Sequence, residues 1–184
     1  GYVKLDNFYS GAADSFVREV DALVEQGAAA LIVDVRSDPG GYVTELEKIL
    51  DYLLPEGPVF THSPRWWFTS VTQSDEGCVD LPMAALVNGG TYSAAELLAA
   101  QLRESVDAPI VGEVTSGKGY SQVTFPLPNG GGVGLSTATY CTGSGHSLIG
   151  EGIIPDVALA LNEGAVLGGE DDNQLQAVVE LLTK

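Results

Sequence analysis

Basic residues are scarce in this sequence. Its 184 residues contain 8 Lys and Arg against 25 Asp and Glu, which gives a formal net charge of -17. A protein with this charge repels the phosphates of nucleic acids and the headgroups of anionic lipids. We therefore do not expect a nucleic acid as a partner.

Cysteine and histidine are also rare. The sequence has two cysteines, Cys78 and Cys141, and two histidines, His62 and His146. It contains no Cys-x-x-Cys pair, so it predicts neither a metal site nor a cofactor, and the cysteine spacing does not decide whether a single disulfide forms. Neither histidine lies in a motif, and we expect each in a surface loop rather than in a Ser/His triad.

Long apolar runs are missing as well. No run approaches the roughly 18 residues that a membrane-spanning helix requires. The first residues already show strand-like alternation, so we expect no signal peptide within this sequence. With 45% hydrophobic residues and 23 glycines the composition is that of a compact globular chain. We expect one domain over residues 1–184, excised from a longer protein, without a membrane segment.

Strand and helix patterns alternate along the first two thirds of the chain. Residues 2–8 predict a strand, and Ser10 is the expected N-cap of a helix that stops at Gly27. Further segments are predicted as buried strands (29–35, 84–87 and 109–112) and as helices (46–54 and 93–104). The pattern indicates an α/β fold with parallel strand pairs and crossover helices.

The remaining segments are less regular. Residues 56–80 are expected to be irregular, and their aromatic run Trp66-Trp67-Phe68 is interpreted either as hairpin residues that cover one end of the core or as a binding surface. The glycines around Gly130 predict a hairpin between 122–127 and 133–140. A last helix is expected over 173–182.

Three loops should meet at the carboxyl edge of the parallel strands, where ligands usually bind. They are 36–41, 88–93 and 113–119. The topology therefore brings Ser93 close to Lys118, although 25 residues separate them in the sequence (118 − 93). Ser93 falls in the first turn of a helix, where the backbone N–H groups and the helix dipole favour a developing negative charge. It is interpreted either as a nucleophile or as an ordinary N-cap.

Lys118 is the candidate general base for Ser93. A lysine can accept the proton of a serine hydroxyl only in a dry pocket that favours the neutral amine, and most lysines are simply exposed. Gln122, four residues later, could orient the amine through its amide oxygen without adding charge. The turn that contains Gly40 and Gly41 either leads into the next helix or offers a backbone N–H that forms an oxyanion hole with that of Ala94.

Four segments, taken in order and spacing, resemble the carboxy-terminal processing (tail-specific) serine peptidases. They are Leu31–Gly41, Val87–Glu96, Val111–Gln122 and Gly150–Asp156. The resemblance covers nearly the whole chain and assigns the nucleophile to Ser93, the base to Lys118 and the residue that positions this base to Gln122.

This resemblance implies a crotonase-like (ClpP-like) core of repeated β-β-α units. It also implies a serine endopeptidase with a Ser/Lys dyad, which cleaves polypeptides near flexible C-terminal regions in an extracytoplasmic bacterial setting. The PDZ domain and the helical segments that usually flank this core have no room in 184 residues. The oligomeric state is not predicted.

The sequence departs from the family pattern at a few positions. Thr91, Tyr92 and Ala95 replace the small residues usual around the nucleophile, and Asp38 stands where asparagine is usual. Tyr92 is expected to narrow the substrate cleft, and Asp38 adds a negative charge near the predicted oxyanion hole. The alternative to an enzyme is a non-catalytic ligand-binding or scaffold domain of the same fold.

Overall fold

The computed structural model describes residues 1–183. Over these residues the chain forms strands and helices in the order β1 (Tyr2–Lys4), α1 (Ala12–Glu25), β2 (Leu31–Asp34), α2 (Val43–Leu53), β3 (Gly57–Pro64), β4 (Ser70–Ser74), β5 (Met83–Val87), α3 (Ala94–Val106), β6 (Ile110–Gly112), β7 (Tyr120–Pro126), β8 (Gly132–Thr142), β9 (Val157–Ala158) and α4 (Asn173–Leu182).

A parallel sheet with the strand order β1-β2-β5-β6-β9 forms the centre of the molecule. Every neighbouring pair in it is parallel. Successive residues of β2 enter opposite layers of the core, because side chains alternate along a strand: Leu31 and Val33 join one cluster and Ile32 joins the other. The predicted α/β class with parallel strands and crossover helices is confirmed.

The helices cover both faces of this sheet. Helices α1, α2 and α3 contribute to the larger apolar cluster, whereas Val178 of α4 belongs to the cluster on the opposite face. Sheets buried on both faces need strands that are apolar throughout, which explains the short continuous runs in the sequence. No helix within residues 1–183 is long and apolar enough to cross a membrane.

A second sheet is antiparallel and has the order β4-β3-β8-β7. It corrects the expectation that 56–80 is irregular, since β3 and β4 form a hairpin there. The aromatic run lies at the turn of this hairpin, and Trp66, Trp67 and Phe68 are all strongly exposed. The interpretation that they cover the core is therefore wrong. The predicted hairpin around Gly130 is confirmed as the pair β7 and β8.

Several predicted boundaries are wrong by one or more residues. The first strand ends at Lys4, and Phe8 makes only an isolated bridge to Gly41. Gly11, not Ser10, is the N-cap of α1. The N–H of Ala13 in the first turn instead donates to the buried Glu45 carboxylate at 2.9 Å, so a side chain of α2 replaces the local cap. Strand β9 was not predicted.

Candidate active site

The turn between β5 and α3 holds Ser93 in a backbone conformation that non-glycine residues rarely adopt. Its φ is 60° and its ψ is −119°. Strain of this kind persists only where the surrounding structure enforces it, and it is common at functional sites. Ser93 occupies the N-cap position of α3, as the sequence allowed, and its side chain lines a cleft at the carboxyl edge of the parallel sheet.

The loop after β2 packs directly on this turn. Tyr92 N donates to the Asp38 carbonyl at 2.9 Å. Gly40 has a positive φ of 80°, and a Cβ atom built on it would lie 2.7 Å from Tyr92 O and 2.9 Å from Ala94 N. Only glycine therefore permits both the conformation and the close approach.

Two backbone N–H groups near Ser93 are not used by the fold. Within residues 1–183, neither Gly41 N nor Ala94 N donates a hydrogen bond. Both residues line one small apolar pocket with Ser93. Gly40 N differs, because it donates to Asp38 Oδ1 at 2.7 Å. Of the two glycines named from the sequence, Gly41 is the one with an available donor.

The loop after β6, which carries Lys118, is fixed to the start of α3 by Glu96. This carboxylate is completely buried. Its oxygens accept hydrogen bonds from Ser93 N (3.0 Å), Gly117 N (2.7 Å) and Lys118 N (3.0 Å), and also from the hydroxyl of Thr115. Glu96 thus sets the position of the serine turn relative to the lysine loop. Glu96 lies in the second sequence motif, but its sequence position alone does not indicate this role.

The fourth motif of the sequence supports the same loop. Ile153 N donates to Thr115 Oγ1 at 2.7 Å, and Gly150 N donates to the Gly117 carbonyl at 2.8 Å. Gly117 has a positive φ of 78°, and a Cβ atom there would lie 2.9 Å from Gly152 N. Residues 150–156 therefore hold the loop 113–119, which carries Lys118, in place through hydrogen bonds, and they do not line the cleft.

The Lys118 amine does not contact Ser93 in this conformation. It lies over the ring of Tyr92, 4.5 Å from the ring centre. Within residues 1–183 it makes no hydrogen bond to Ser93 or to Gln122. Gln122 is an exposed residue of β7 and lines the same cleft as Ser93 and Lys118. The structure thus brings the three predicted residues into one cleft without joining them by hydrogen bonds.

The Ser93 hydroxyl instead has Tyr140 of β8 as its partner. The Tyr140 hydroxyl lies 3.1 Å from Ser93 Oγ and 2.8 Å from the Lys118 carbonyl oxygen. A phenol has one proton, and a carbonyl can only accept, so Tyr140 donates to Lys118 and accepts from Ser93. Burial raises the pKa of Tyr140 to about 12, which keeps this phenol neutral. The contact between Tyr140 and Ser93 could not be predicted from the sequence, because it depends on how β8 of the antiparallel sheet packs against the parallel sheet.

A buried ionic network lies at the carboxyl end of β2. Arg36 is completely buried and bonds Asp34 and Asp172, each through two guanidinium nitrogens. Its Nη1 also donates to Gln174 at 2.8 Å. Burial opposes ionisation of Asp172, but hydrogen bonds from Arg36 and from backbone N–H groups hold its pKa at about 2. The network ties α4 to the end of β2.

His62 lies on β3 and not in a surface loop, and its Nε2 is 3.0 Å from Oγ of Ser121, which lines the cleft. His146 is exposed in the loop after β8, as expected. Cys78 and Cys141 are both free thiols. No group of three His, Cys, Asp or Glu side chains in the described part of the chain is arranged to hold a metal ion.

Comparisons with known proteins agree with this arrangement. The chain is 37% identical to a carboxyl-terminal-processing protease of Synechocystis sp. and 35% identical to one of Picosynechococcus sp.; each match covers 100% of this chain and 44% or 45% of the relative. A solved structure of a photosystem II D1 C-terminal processing protease superimposes with a TM-score of 0.80 at 30% identity, over 100% of this chain and 46% of that one. The chain thus spans less than half the length of these relatives.

The model of peptidase family S41 matches residues 1–159, which include the turns of Gly40, Ser93 and Lys118. This match and the two similar proteases assign the chain by sequence, and the superposition assigns it by fold. The chain belongs to peptidase family S41.

Proposed function

We propose that this protein is a serine endopeptidase with a Ser93/Lys118 dyad. The observation that carries the proposal is the turn at Ser93, where a strained nucleophile position lies beside the N–H groups of Gly41 and Ala94 in one apolar pocket. These donors are suited to the oxygen of a scissile carbonyl as it becomes negative. The small apolar pocket fits a small apolar side chain next to the bond that is cleaved.

In the proposed reaction the neutral Lys118 amine takes the proton of Ser93 while Oγ bonds to the carbonyl carbon. The tetrahedral intermediate collapses, the C–N bond breaks, and the ammonium of Lys118 returns the proton to the departing amine. The same amine then takes a proton from water while the water oxygen bonds to the acyl carbon. The C–Oγ bond breaks, and the ammonium returns the proton to Ser93 Oγ. Gln122 orients the amine during these steps.

The proposal requires a rearrangement of the Lys118 side chain. Its amine must leave the ring of Tyr92 and approach Ser93, whose hydroxyl must turn away from Tyr140. Catalytic hydrogen bonds are often absent in a free enzyme and form only with substrate. The backbone around both residues needs no change, because Glu96 already fixes the two turns to each other.

Membership of peptidase family S41 supports a peptidase function. We infer polypeptide substrates that are cleaved near flexible C-terminal regions, and an extracytoplasmic location. We also propose that the chain is one peptidase core domain of a longer protein, with the crotonase-like (ClpP-like) arrangement of β-β-α units. No cofactor is needed for this chemistry.

Labelling with a fluorophosphonate tests the dyad directly. We expect one covalent adduct, located at Ser93 by peptide mass spectrometry, that is absent in Ser93→Ala and at least tenfold slower in Lys118→Ala. Ser144→Ala and Lys48→Ala are matched controls for an exposed serine and an exposed lysine, and both should label like the unmodified protein. Labelling that persists in Ser93→Ala excludes Ser93 as the nucleophile and favours the non-catalytic alternative.

A further inference from the structure

Asp38 is a buried acid in the loop that carries the proposed oxyanion-hole donor. Its exposed fraction is 0%, and its Oδ1 accepts a hydrogen bond from Gly40 N at 2.7 Å. Its Oδ2 is buried and has no hydrogen-bond partner within residues 1–183. A buried carboxylate normally has partners for both oxygens, because an unpaired charge away from water is costly. The Asp38 carboxyl therefore accepts one hydrogen bond, which stabilises a negative charge on it only in part.

The backbone of Asp38 links the two turns of the proposed active site. Its carbonyl accepts from Tyr92 N, in the turn of Ser93. Its side chain holds Gly40 N, and the next residue is Gly41, whose N–H is available for an oxyanion. The Asp38 carboxyl therefore contacts the turn of Gly40 and Gly41 directly, and the turn of Ser93 only through the backbone of Asp38.

The charged groups around Asp38 do little to stabilise its ionised form. Lys4 of β1 favours ionisation and Asp6 opposes it, and these two side chains are paired with each other. Arg36, two residues earlier, is held by Asp34 and Asp172. Burial is the largest influence and raises the pKa of Asp38 to about 7, against the hydrogen bond from Gly40 N. Both forms of the acid are then populated near neutral pH.

We propose that Asp38 is a positioning residue that supports the oxyanion hole only in its neutral, protonated form, so that the peptidase is switched off as the pH rises. The inference rests on the proposed function. A neutral carboxyl keeps Oδ1 as the acceptor for Gly40 N and adds no charge. An ionised one places a second negative charge near the developing oxyanion in a water-poor site, where repulsion is strong.

The variant Asp38→Asn reproduces the neutral acid at every pH. An asparagine side chain has the same shape, offers Oδ1 to Gly40 N and does not ionise. Asp6→Asn is the matched control, because it removes the same charge from a neighbouring acid whose side chain is 74% exposed.

The first test measures the rate of fluorophosphonate labelling at Ser93 against pH. The ratio of the rates of the unmodified protein and Asp38→Asn removes every pH dependence that the two proteins share. We expect this ratio, unmodified to Asp38→Asn, to fall about tenfold between about pH 6 and about pH 8 as Asp38 loses its proton. Asp6→Asn should show the same fall. A ratio that stays constant over this range overturns the inference.

The second test measures the free energy of unfolding of the same proteins against pH. Because the pKa of Asp38 is higher in the folded than in the unfolded chain, its contribution to stability is present at low pH and is lost between about pH 4 and about pH 7. The unmodified protein should therefore lose stability relative to Asp38→Asn across this window. A constant difference shows that Asp38 is ionised in the folded state and overturns the inference.

The two tests separate this inference from the proposed function. Labelling at Ser93 with a constant ratio refutes only the role of Asp38. Absence of labelling at every pH in both proteins refutes the peptidase and the switch together, whatever the stability measurement shows.

Discussion

The amine of Lys118 lies 4.5 Å from the centre of the Tyr92 ring, on the residue directly before the proposed nucleophile. The face of an aromatic ring attracts a cation, so this contact stabilises the charged amine, whereas a general base must be neutral. Tyr92 is exposed, so the contact is made at the surface of the protein. In this arrangement the proposed base is not hydrogen-bonded to Ser93.

Replacement of Tyr92 tests this contact. An exposed cation–π contact contributes about 0.5–1 kcal/mol, so Tyr92→Leu should raise the rate of fluorophosphonate labelling at Ser93 by about two- to fivefold. Tyr92→Phe keeps the aromatic face and should label at the original rate. A Tyr92→Leu protein that labels more slowly than Tyr92→Phe would show that the ring helps the reaction instead.

Removal of Glu96 should separate the two halves of the site. Glu96→Ala leaves four buried or partly buried donors without their acceptor, and we expect a loss of at least about 3 kcal/mol in the free energy of unfolding. Labelling of Ser93 should fall at least about tenfold even where the protein is folded, because the lysine loop is no longer fixed to the serine turn. Chemical denaturation and labelling measure the two effects.

Glu104→Ala is the control for Glu96, since Glu104 lies on the same helix and is exposed. It should change both quantities little. If the folded Glu96→Ala protein labels at the original rate, Glu96 serves stability alone.

The Tyr140 hydroxyl can be removed without loss of the ring. Tyr140→Phe leaves the Lys118 carbonyl without its donor, and we expect the free energy of unfolding to fall by about 1–2 kcal/mol. Tyr120→Phe in the same hairpin removes a hydroxyl from an exposed side chain and should leave stability unchanged within about 0.5 kcal/mol. Equal stability of the two variants would show that water replaces the phenol.

Arg36 should be one of the most sensitive positions for stability. Arg36→Met keeps most of the side-chain volume but leaves Asp34 and Asp172 buried without their cation, and such a loss costs about 3–5 kcal/mol. Chemical denaturation measures it. Arg18→Met, at a side chain that is 68% exposed, is the control and should change stability by less than about 0.5 kcal/mol. A small effect of Arg36→Met would mean that water enters the network.

The parallel sheet and the meeting of its loops could be predicted because both follow from local patterns. Buried strands such as Leu31–Asp34 are continuous apolar runs, and α4 has the predicted bounds. The carboxyl ends of parallel strands then bring Ser93 and Lys118 into one cleft. The family resemblance added the roles of these residues, and that assignment stays a prediction until the labelling experiment is done.

Only one half of the antiparallel sheet could be predicted in the same way. The glycines around Gly130 predicted the hairpin of β7 and β8, whereas β3 carries prolines at 58 and 64, which disfavour a strand, and the hairpin of β3 and β4 was missed. Tyr140 and the network around Glu96 depend on contacts between segments that are distant in the sequence. The N-cap of α1 was misplaced because a carboxylate from α2, not a neighbouring side chain, satisfies the first turn.

The position of Tyr140 has a mechanical consequence. Its hydroxyl joins Ser93 and Lys118, which belong to the parallel unit, to a strand of the hairpin layer. The Ser93 hydroxyl therefore lies at the boundary between the two sheets. A shift of β8 against the parallel sheet would move the phenol oxygen that accepts from this hydroxyl, and with it the direction in which the hydroxyl points.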